Sequence, residues 1–264
     1  MGKFMHGILW ELRMGDAPSS FLFGTMHVKD ARAFEWLPAL VEKIKACQAF
    51  YAEIDLGPSG GITTRVPSIE KGNRLSDHLS RKKLIRLDRF CNKRYGFSLY
   101  AMDELYPIIV LQQLTLKHLN EEHQHILDMS LYNIANERGL QCDGIESLEE
   151  QLSIITSIPV SLQIKYLTDA LEHHDAFVNQ LKKLIEDYQG QQISSLYKRT
   201  RRSLGGMRKP MLYLRNERMA ERIHELYRAN PESFFCIGAA HLAGQKGVLR
   251  KLKNAGFALT NIPV

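Results

Sequence analysis

Several things this chain of 264 residues lacks narrow what it can be. Its four cysteines (Cys47, Cys91, Cys142, Cys236) are scattered and form no C-x-x-C pair, so neither a disulfide framework nor a thiolate zinc site is expected. Cys142 and Cys236 fall within apolar strand-like runs, where buried, reduced thiols are common. No apolar run approaches the roughly 18–20 residues of a membrane span. The N-terminus, Met1 to His6, has no signal-peptide core and lacks the Ser/Thr of a myristoylation site. As given, the chain reads as a cytoplasmic protein without leader or membrane anchor. No G-x-S-x-G elbow, H-E-x-x-H helix or G-x-x-x-x-G-K-[ST] phosphate loop is present. The formal net charge of +6 is mild, and much of it sits in Lys198-Arg199-Thr200-Arg201-Arg202 and Arg208-Lys209. These runs lack the aromatic or glycine-rich companions of a nucleic-acid surface, so they are read as solvated helix ends, and no nucleic-acid partner is expected.

What is present is a pair of similar segments. Phe21-Leu22-Phe23-Gly24-Thr25-Met26-His27 and Phe234-Phe235-Cys236-Ile237-Gly238-Ala239-Ala240-His241 are each an apolar run followed by Gly-x-x-His. A strand that ends this way delivers an imidazole to the carboxyl edge of a sheet, where ligands bind in open α/β folds. One such unit is weak, since a lone histidine is most often structural. Two, from opposite ends of the chain, point to one composite site.

The rest of the pattern supports an α/β fold. Ile8–Met14 and Ser20–Gly24 flank a turn and should form an antiparallel hairpin. A helix through Leu37, Leu40, Val41 and Ile44 precedes a buried strand, Ala49–Leu56. Residues 59–73 are punctuated by Gly and Pro and read as a mobile loop. Helical periodicity runs from about 79 to 138, with Tyr106-Pro107 starting or kinking a helix. Strand Leu140–Glu146 is followed at once by the capping box Ser147-Leu148-Glu149-Glu150. Helices continue to about 188, a Gly-Gly and Pro210 loop leads to a helix over 211–228, and a strand–helix–strand unit closes the chain. The expectation is a single α/β domain over 1–264. Its central mixed β-sheet is built from N- and C-terminal strands flanked by helices, with a helical insertion at about 79–138 and 159–230.

Three further polar positions stand out. Glu53 lies in an apolar strand, where an ionised carboxylate is costly unless paired or metal-bound. It is equally readable as the strand's wet end paired with an arginine, and Asp55 shares its face. Glu146 sits at another strand end, and complementing the helix that follows would explain it without function. Arg215 and Asn216 lie on a helix with Met211, Leu212, Leu214 and Met219 on its other face. A surface salt bridge is the default for such an arginine, while one aimed into a cleft can hold a carboxylate or an oxyanion. His123 with His125, and His173 with His174, lack metal-ligand spacing on a helix and read as solvated charge.

Taken together, segments 21–28, 51–56, 144–152, 214–220 and 237–249 resemble the TraB/GumN family in family order over nearly the whole chain. The family is related to the Tiki metalloproteases and more distantly to erythromycin esterase and the ChaN haem-binding proteins. The resemblance implies a fold of the erythromycin-esterase/ChaN kind. It matches His27 and His241 to the family's two Gly-x-x-His histidines, Glu53 to its acidic residue and Arg215-Asn216 to its Arg-Asn pair. Glu146 matches the glutamate after the central strand, and Asp128 also fits the pattern. The implied activity is that of a Tiki-like protease, in which His27, Glu53 and His241 hold a divalent metal (Mn, Co or Zn) and an activated water cleaves a peptide. Glu53 is then ligand or base, with Arg215 on the oxyanion. The alternatives are a metal-independent esterase-type hydrolase with histidine as base, and a non-catalytic protein binding haem, a small ligand or a peptide. Either way the expected partner is a peptide or small molecule.

Overall fold

The computed structural model describes residues 6–57, 68–117 and 122–264. In chain order its elements are β1 (Leu9–Arg13), β2 (Ser20–Thr25), α1 (Leu37–Lys45), β3 (Ala49–Ile54), α2 (Leu75–His78), α3 (Arg81–Tyr95), α4 (Pro107–Lys117) and α5 (Leu127–Glu137). Then follow β4 (Gln141–Glu146), α6 (Leu148–Ser157), α7 (Val160–Glu172), α8 (His174–Gln189), α9 (Ile193–Leu204), α10 (Arg215–Ala229), β5 (Ser233–Gly238), α11 (Val248–Asn254) and β6 (Ala258–Asn261). The fold is α/β, as the sequence pattern predicts. The loop expected over 59–73 lies outside the described residues as far as residue 67.

Chain contacts gather the described residues into two compact units. One comprises residues up to 57, 122–150 and 184–264, and carries the sheet. The other is helical, formed by 68–117 and 151–183. Helices α5, α9 and α10, which the sequence reading counted with the insertion, group with the sheet-bearing unit. The apolar stripe of α5 (Leu127, Leu131, Ala135) is buried, as is that of α10 (Met219, Ile223, Tyr227). The helical unit has its own core, in which Leu84, Leu87 and Cys91 of α3 meet Val110 and Leu114 of α4 and Leu167 and Leu171 of α7.

The six strands lie in the order β4-β3-β5-β2-β1-β6. Strands β4, β3, β5 and β2 are mutually parallel, while β1 runs antiparallel to β2, and β6 antiparallel to β1. The closing strand–helix–strand unit is therefore parallel in sense but skips two positions, because the N-terminal hairpin occupies the space between β5 and β6. Strands β2 and β3 are buried at every residue, which suits central strands covered on both faces. Aromatic pairs fix their register with β5: Phe50 stacks on Phe234 at 5.9 Å between ring centres, and Tyr51 on Phe235 at 5.3 Å on the opposite face. Edge strand β4 is more open, so Cys142 is only half-buried, a departure from expectation, while Cys236 is fully buried.

Sequence punctuation translates closely into helix ends. Pro107 opens α4, and Gly139 (φ +75°) follows α5. The capping box at α6 is formed in full: Glu150 N–H donates to Ser147 Oγ at 3.1 Å, and Ser147 N–H to Glu150 Oε2 at 2.7 Å. The stretch expected as a loop before α10 differs. Gly205–Met207 forms a 3-10 turn, and Lys209–Leu214 forms a π-helix that runs directly into α10. Pro210 stands in its first turn, where its missing N–H costs nothing.

Gly24 serves close approach rather than a left-handed backbone. A Cβ there would lie 2.5 Å from Leu242 Cδ1 and 3.0 Å from Ala239 Cα. It thus lets the 3-10 turn Ala239–His241, at the end of β5, press on β2. Gly24→Ala should therefore destabilise the protein by about 1–3 kcal/mol through overpacking. Urea unfolding of the variant beside wild type measures this.

Candidate active site

Because β2, β5, β3 and β4 are parallel and adjacent, their carboxyl ends form one edge. His27 follows β2 by two residues, His241 follows β5, Glu53 is near the end of β3 and Glu146 ends β4. The edge expected from the Gly-x-x-His pair is thus the edge on which the structure gathers these residues. Across it lies the first turn of α10, bearing Arg215 and Asn216.

Arg215 is the hub, and it is buried, not on the surface as the default reading had it (9% exposed). Its Nε donates to Glu146 Oε2 at 2.9 Å, and its Nη2 donates to both Glu146 Oε2 and Glu53 Oε1. Glu53 and Glu146 are themselves buried. Of the two alternatives posed for Glu53, pairing with arginine is what the structure shows, but in the interior rather than at a wet strand end. Its other oxygen, Oε2, accepts from Gly238 N–H at 2.7 Å and lies 4.0 Å from His27 Nε2. Asp55 turns away and accepts from Gly57 N–H at 2.9 Å.

The histidines are held differently. Asn216 Nδ2 donates to the Lys246 carbonyl at 2.7 Å, which turns its Oδ1 toward His241 Nδ1 at 2.5 Å. The only donor that contact can have is the imidazole Nδ1–H, so the neutral ring of His241 presents an unprotonated Nε2. His27 is oriented by Asp128, whose Oδ2 lies 3.0 Å from Nδ1 in a close ionic contact. Asp128 is fixed in turn by Thr25 Oγ1, which donates to its Oδ1 at 2.6 Å.

This setting separates the charge states. Burial opposes ionisation of Glu53, yet Arg215, the two histidines and the Gly238 N–H outweigh it and hold the carboxyl well below the usual range. Burial raises Glu146 above its ordinary value despite its contacts with Arg215. Asp128 pulls His27 up to about 9 against the effect of burial, although water reaches the ring, which is 45% exposed. Burial and the Arg215 charge push His241 down to about 4.

Both histidines suit metal ligation, since each has Nδ1 tied to an oxygen partner and Nε2 directed elsewhere. Glu53 Oε2 adds a third donor of the right chemistry, and two histidines with a glutamate are a known catalytic zinc set. Gly238 keeps the space between them open: a Cβ there would sit 3.3 Å from Glu53 Oε2 and 3.4 Å from His241 Cδ2. Among the described residues, no three His, Cys, Asp or Glu side chains stand close enough to enclose an ion without adjustment. Binding one would draw Glu53 Oε2 and the two Nε2 atoms together. His123 and His173/His174 lie elsewhere: the His123 ring stacks on Phe34 at 3.7 Å, and His174 packs edge-on against Phe90.

Arg218, one turn beyond Arg215, was not anticipated. Its Nη2 is 3.7 Å from Glu146 Oε1, and its Nε and Nη2 are buried with no hydrogen-bond partner among the described residues. The i,i+3 spacing on one helix face was the available signal. Leu214, read as part of an apolar face, is 42% exposed instead, because the π-helix shifts the phase before α10.

An α/β protein with a parallel-strand edge that gathers two anchored histidines and an arginine-bridged carboxylate pair is the class this structure defines. The model of the TraB/PrgY/gumN family matches residues 8–261, and the chain belongs to that family. It is similar to Metalloprotease TIKI2 of Danio rerio, 24% identical over 99% of this chain and 62% of the relative. It is likewise similar to Metalloprotease TIKI1 of Homo sapiens, 23% identical over 98% of this chain and 62% of the relative. The chain thus spans less than two thirds of the length of these relatives. Among the described residues no helix is long and apolar enough to cross a membrane.

Two measurements check the electrostatics. Arg215→Met leaves two buried carboxylates facing each other and should cost about 3–5 kcal/mol near neutral pH, and less in acid where they protonate, read by urea unfolding. In metal-free protein, the His27 contribution, with a folded pKa of about 9 against the ordinary 6.5, is full below pH 6.5 and lost as pH rises toward 9. His241, with a folded pKa of about 4, takes up its proton only after unfolding, so stability falls as pH drops from 6.5 toward 4. Stability should peak between these limbs, with His27→Gln flattening the alkaline one and His241→Gln the acid one.

Proposed function

We propose that this chain hydrolyses peptide amide bonds, with a divalent ion (Mn, Co or Zn) held by His27, His241 and Glu53. The observation that carries the reading is the buried Arg215 bridge. It sets one fixed positive charge and two unequal carboxylates beside two anchored imidazoles, as polarising a carbonyl and moving a proton require. When bound, the ion would supply Lewis-acid polarisation and lower the pKa of a water. Ligand type does not choose among the three metals.

The residues divide the remaining work. Glu53, ionised throughout the accessible pH range, is a poor proton acceptor and suits a charge-bearing donor. Glu146, raised by burial, is the better candidate to take a proton from water and pass it to the leaving amine. Arg215, kept protonated by both carboxylates, is positioned to stabilise the developing oxyanion. Asn216 holds His241, and Asp128 holds His27, so both are positioning residues. That both relatives are named metalloproteases supports this reading.

A second reading is favoured by one observation: His241 is neutral, with Nδ1–H bound to Asn216 and Nε2 unprotonated, which suits a histidine base acting without metal. Stripping the protein of metal, adding Mn, Co or Zn singly and assaying a peptide library separates the two. The first reading expects cleavage that depends on the added ion and falls by about a hundredfold or more in His27→Ala, Glu53→Gln and His241→Ala. Ion binding should weaken in parallel by calorimetry. Cleavage unaffected by chelation, with His27→Ala fully active, would sink it.

A further inference from the structure

Charge is distributed unevenly around this site. From Tyr188 to Asn216, and again from Ser233 to Val264, there is no Asp or Glu. The two acid-free segments fold against each other. Helix α9 packs on the 3-10 turn Ala239–His241 and on Gly205–Met207, which in turn packs on the π-helix Lys209–Leu214. Gly244, at φ +90°, admits the Tyr197 ring, which comes within 2.4 Å of where a Cβ would stand. Tyr213 lies near enough to Tyr197 to add to the upward push that burial gives its hydroxyl. Arg201 lies over the Tyr197 ring at 6.0 Å and Lys246 over Tyr213 at 4.5 Å, so both cations belong to one wall. The same first segment also carries Arg202, Arg208 and Lys209, all exposed.

The same segments supply Arg215, Asn216 and His241, so the wall borders the site. The acids that flank the first segment are already engaged: Asp187 accepts from Arg199 Nε at 2.5 Å and Ser195 Oγ at 2.8 Å, and Glu217 pairs with Lys251 at 2.9 Å. Like charges that outnumber their counter-ions repel one another and draw anionic ligands. Nucleic acid would need open aromatic faces for bases, but here Tyr197 is buried and the two tyrosines carry their own cations. The exposed Leu214 adds an apolar contact, which suits a peptide.

We propose that this wall docks acidic peptide segments, so that the preferred substrate carries Asp and Glu beside the scissile bond. The docking stands on charge and placement, and only its consequence as substrate choice rests on the hydrolase reading. The test is fluorescence anisotropy with the full chain and three labelled probes: a peptide of Asp, Glu and Leu, its Asn/Gln counterpart, and a single-stranded oligonucleotide. The acidic peptide should bind at least about tenfold more tightly than the amide peptide, and the difference should shrink as salt rises from about 0.05 to about 0.5 M. Arg201→Glu with Arg202→Glu, and Arg208→Glu with Lys209→Glu, should each lose about tenfold while the unfolding temperature holds. Lys93→Glu with Arg94→Glu, exposed on α3, should bind as wild type. Equal binding of both peptides, equal loss in the α3 variant, or tighter binding of the oligonucleotide would overturn the proposal. Cleavage that ignores substrate acidity would overturn it and spare the hydrolase reading. Selective acidic binding with no peptide cut would uphold the dock and count against hydrolysis.

Discussion

One buried guanidinium organises the sheet edge. Arg215 joins the end of β3 to the end of β4 through Glu53 and Glu146, and it does so from the first turn of α10. Neither carboxylate would be tolerated in the interior alone, and neither would the arginine. Because a planar fork donates its N–H groups to oxygen only in defined directions, satisfying the charges also sets the height of α10 over the sheet. Asn216, next in sequence, is thereby brought to His241, and Glu53 to Gly238 and His27. The site's geometry follows from the way its charges are neutralised.

The same network gives chemically similar residues different properties. Burial opposes ionisation of both carboxylates; at Glu53 the guanidinium, a backbone N–H and the imidazoles outweigh it, whereas at Glu146 burial wins and the pKa is raised. His27 faces a carboxylate and gains basicity, while burial and the Arg215 charge take it from His241. Separation of titratable pairs in this way is how a site obtains both acid and base at one pH. Arg218, beside Glu146 with no aligned partner among the described residues, supplies a second positive charge that limits the cost of keeping Glu146 ionised.

Much of this was legible in the residues. The two Gly-x-x-His units pointed to one composite edge site because two apolar runs from opposite ends of the chain close in the same way, whereas one alone would be weak. The capping box at Ser147, the helix start at Pro107 and the stop at Gly139 were readable because they act over three or four residues. What was not legible depended on distant partners. Arg215 looked like a surface residue because its helix is charged, and only the approach of β3 and β4 buries it. The stretch from Gly205 to Pro210 reads as a loop, but it forms a 3-10 turn and the start of the π-helix, since Gly205, Gly206 and Pro210 give the same local signal for either. Arg218 had no signal beyond its spacing from Arg215, and the tautomer of His241 hangs on a carbonyl thirty positions from the amide that reads it.

By itself, the amino-acid sequence determined the α/β class, the buried parallel core of apolar runs and the identity of the polar residues at its edge. Those are consequences of short-range periodicity and of the cost of burying charge. Tertiary structure alone decided which polar residue neutralises which, how each pKa moves, and that two acid-free segments form one basic wall. Electrostatic pairing falls off over a few ångströms, and residues far apart in the chain come within that range only once the sheet has assembled.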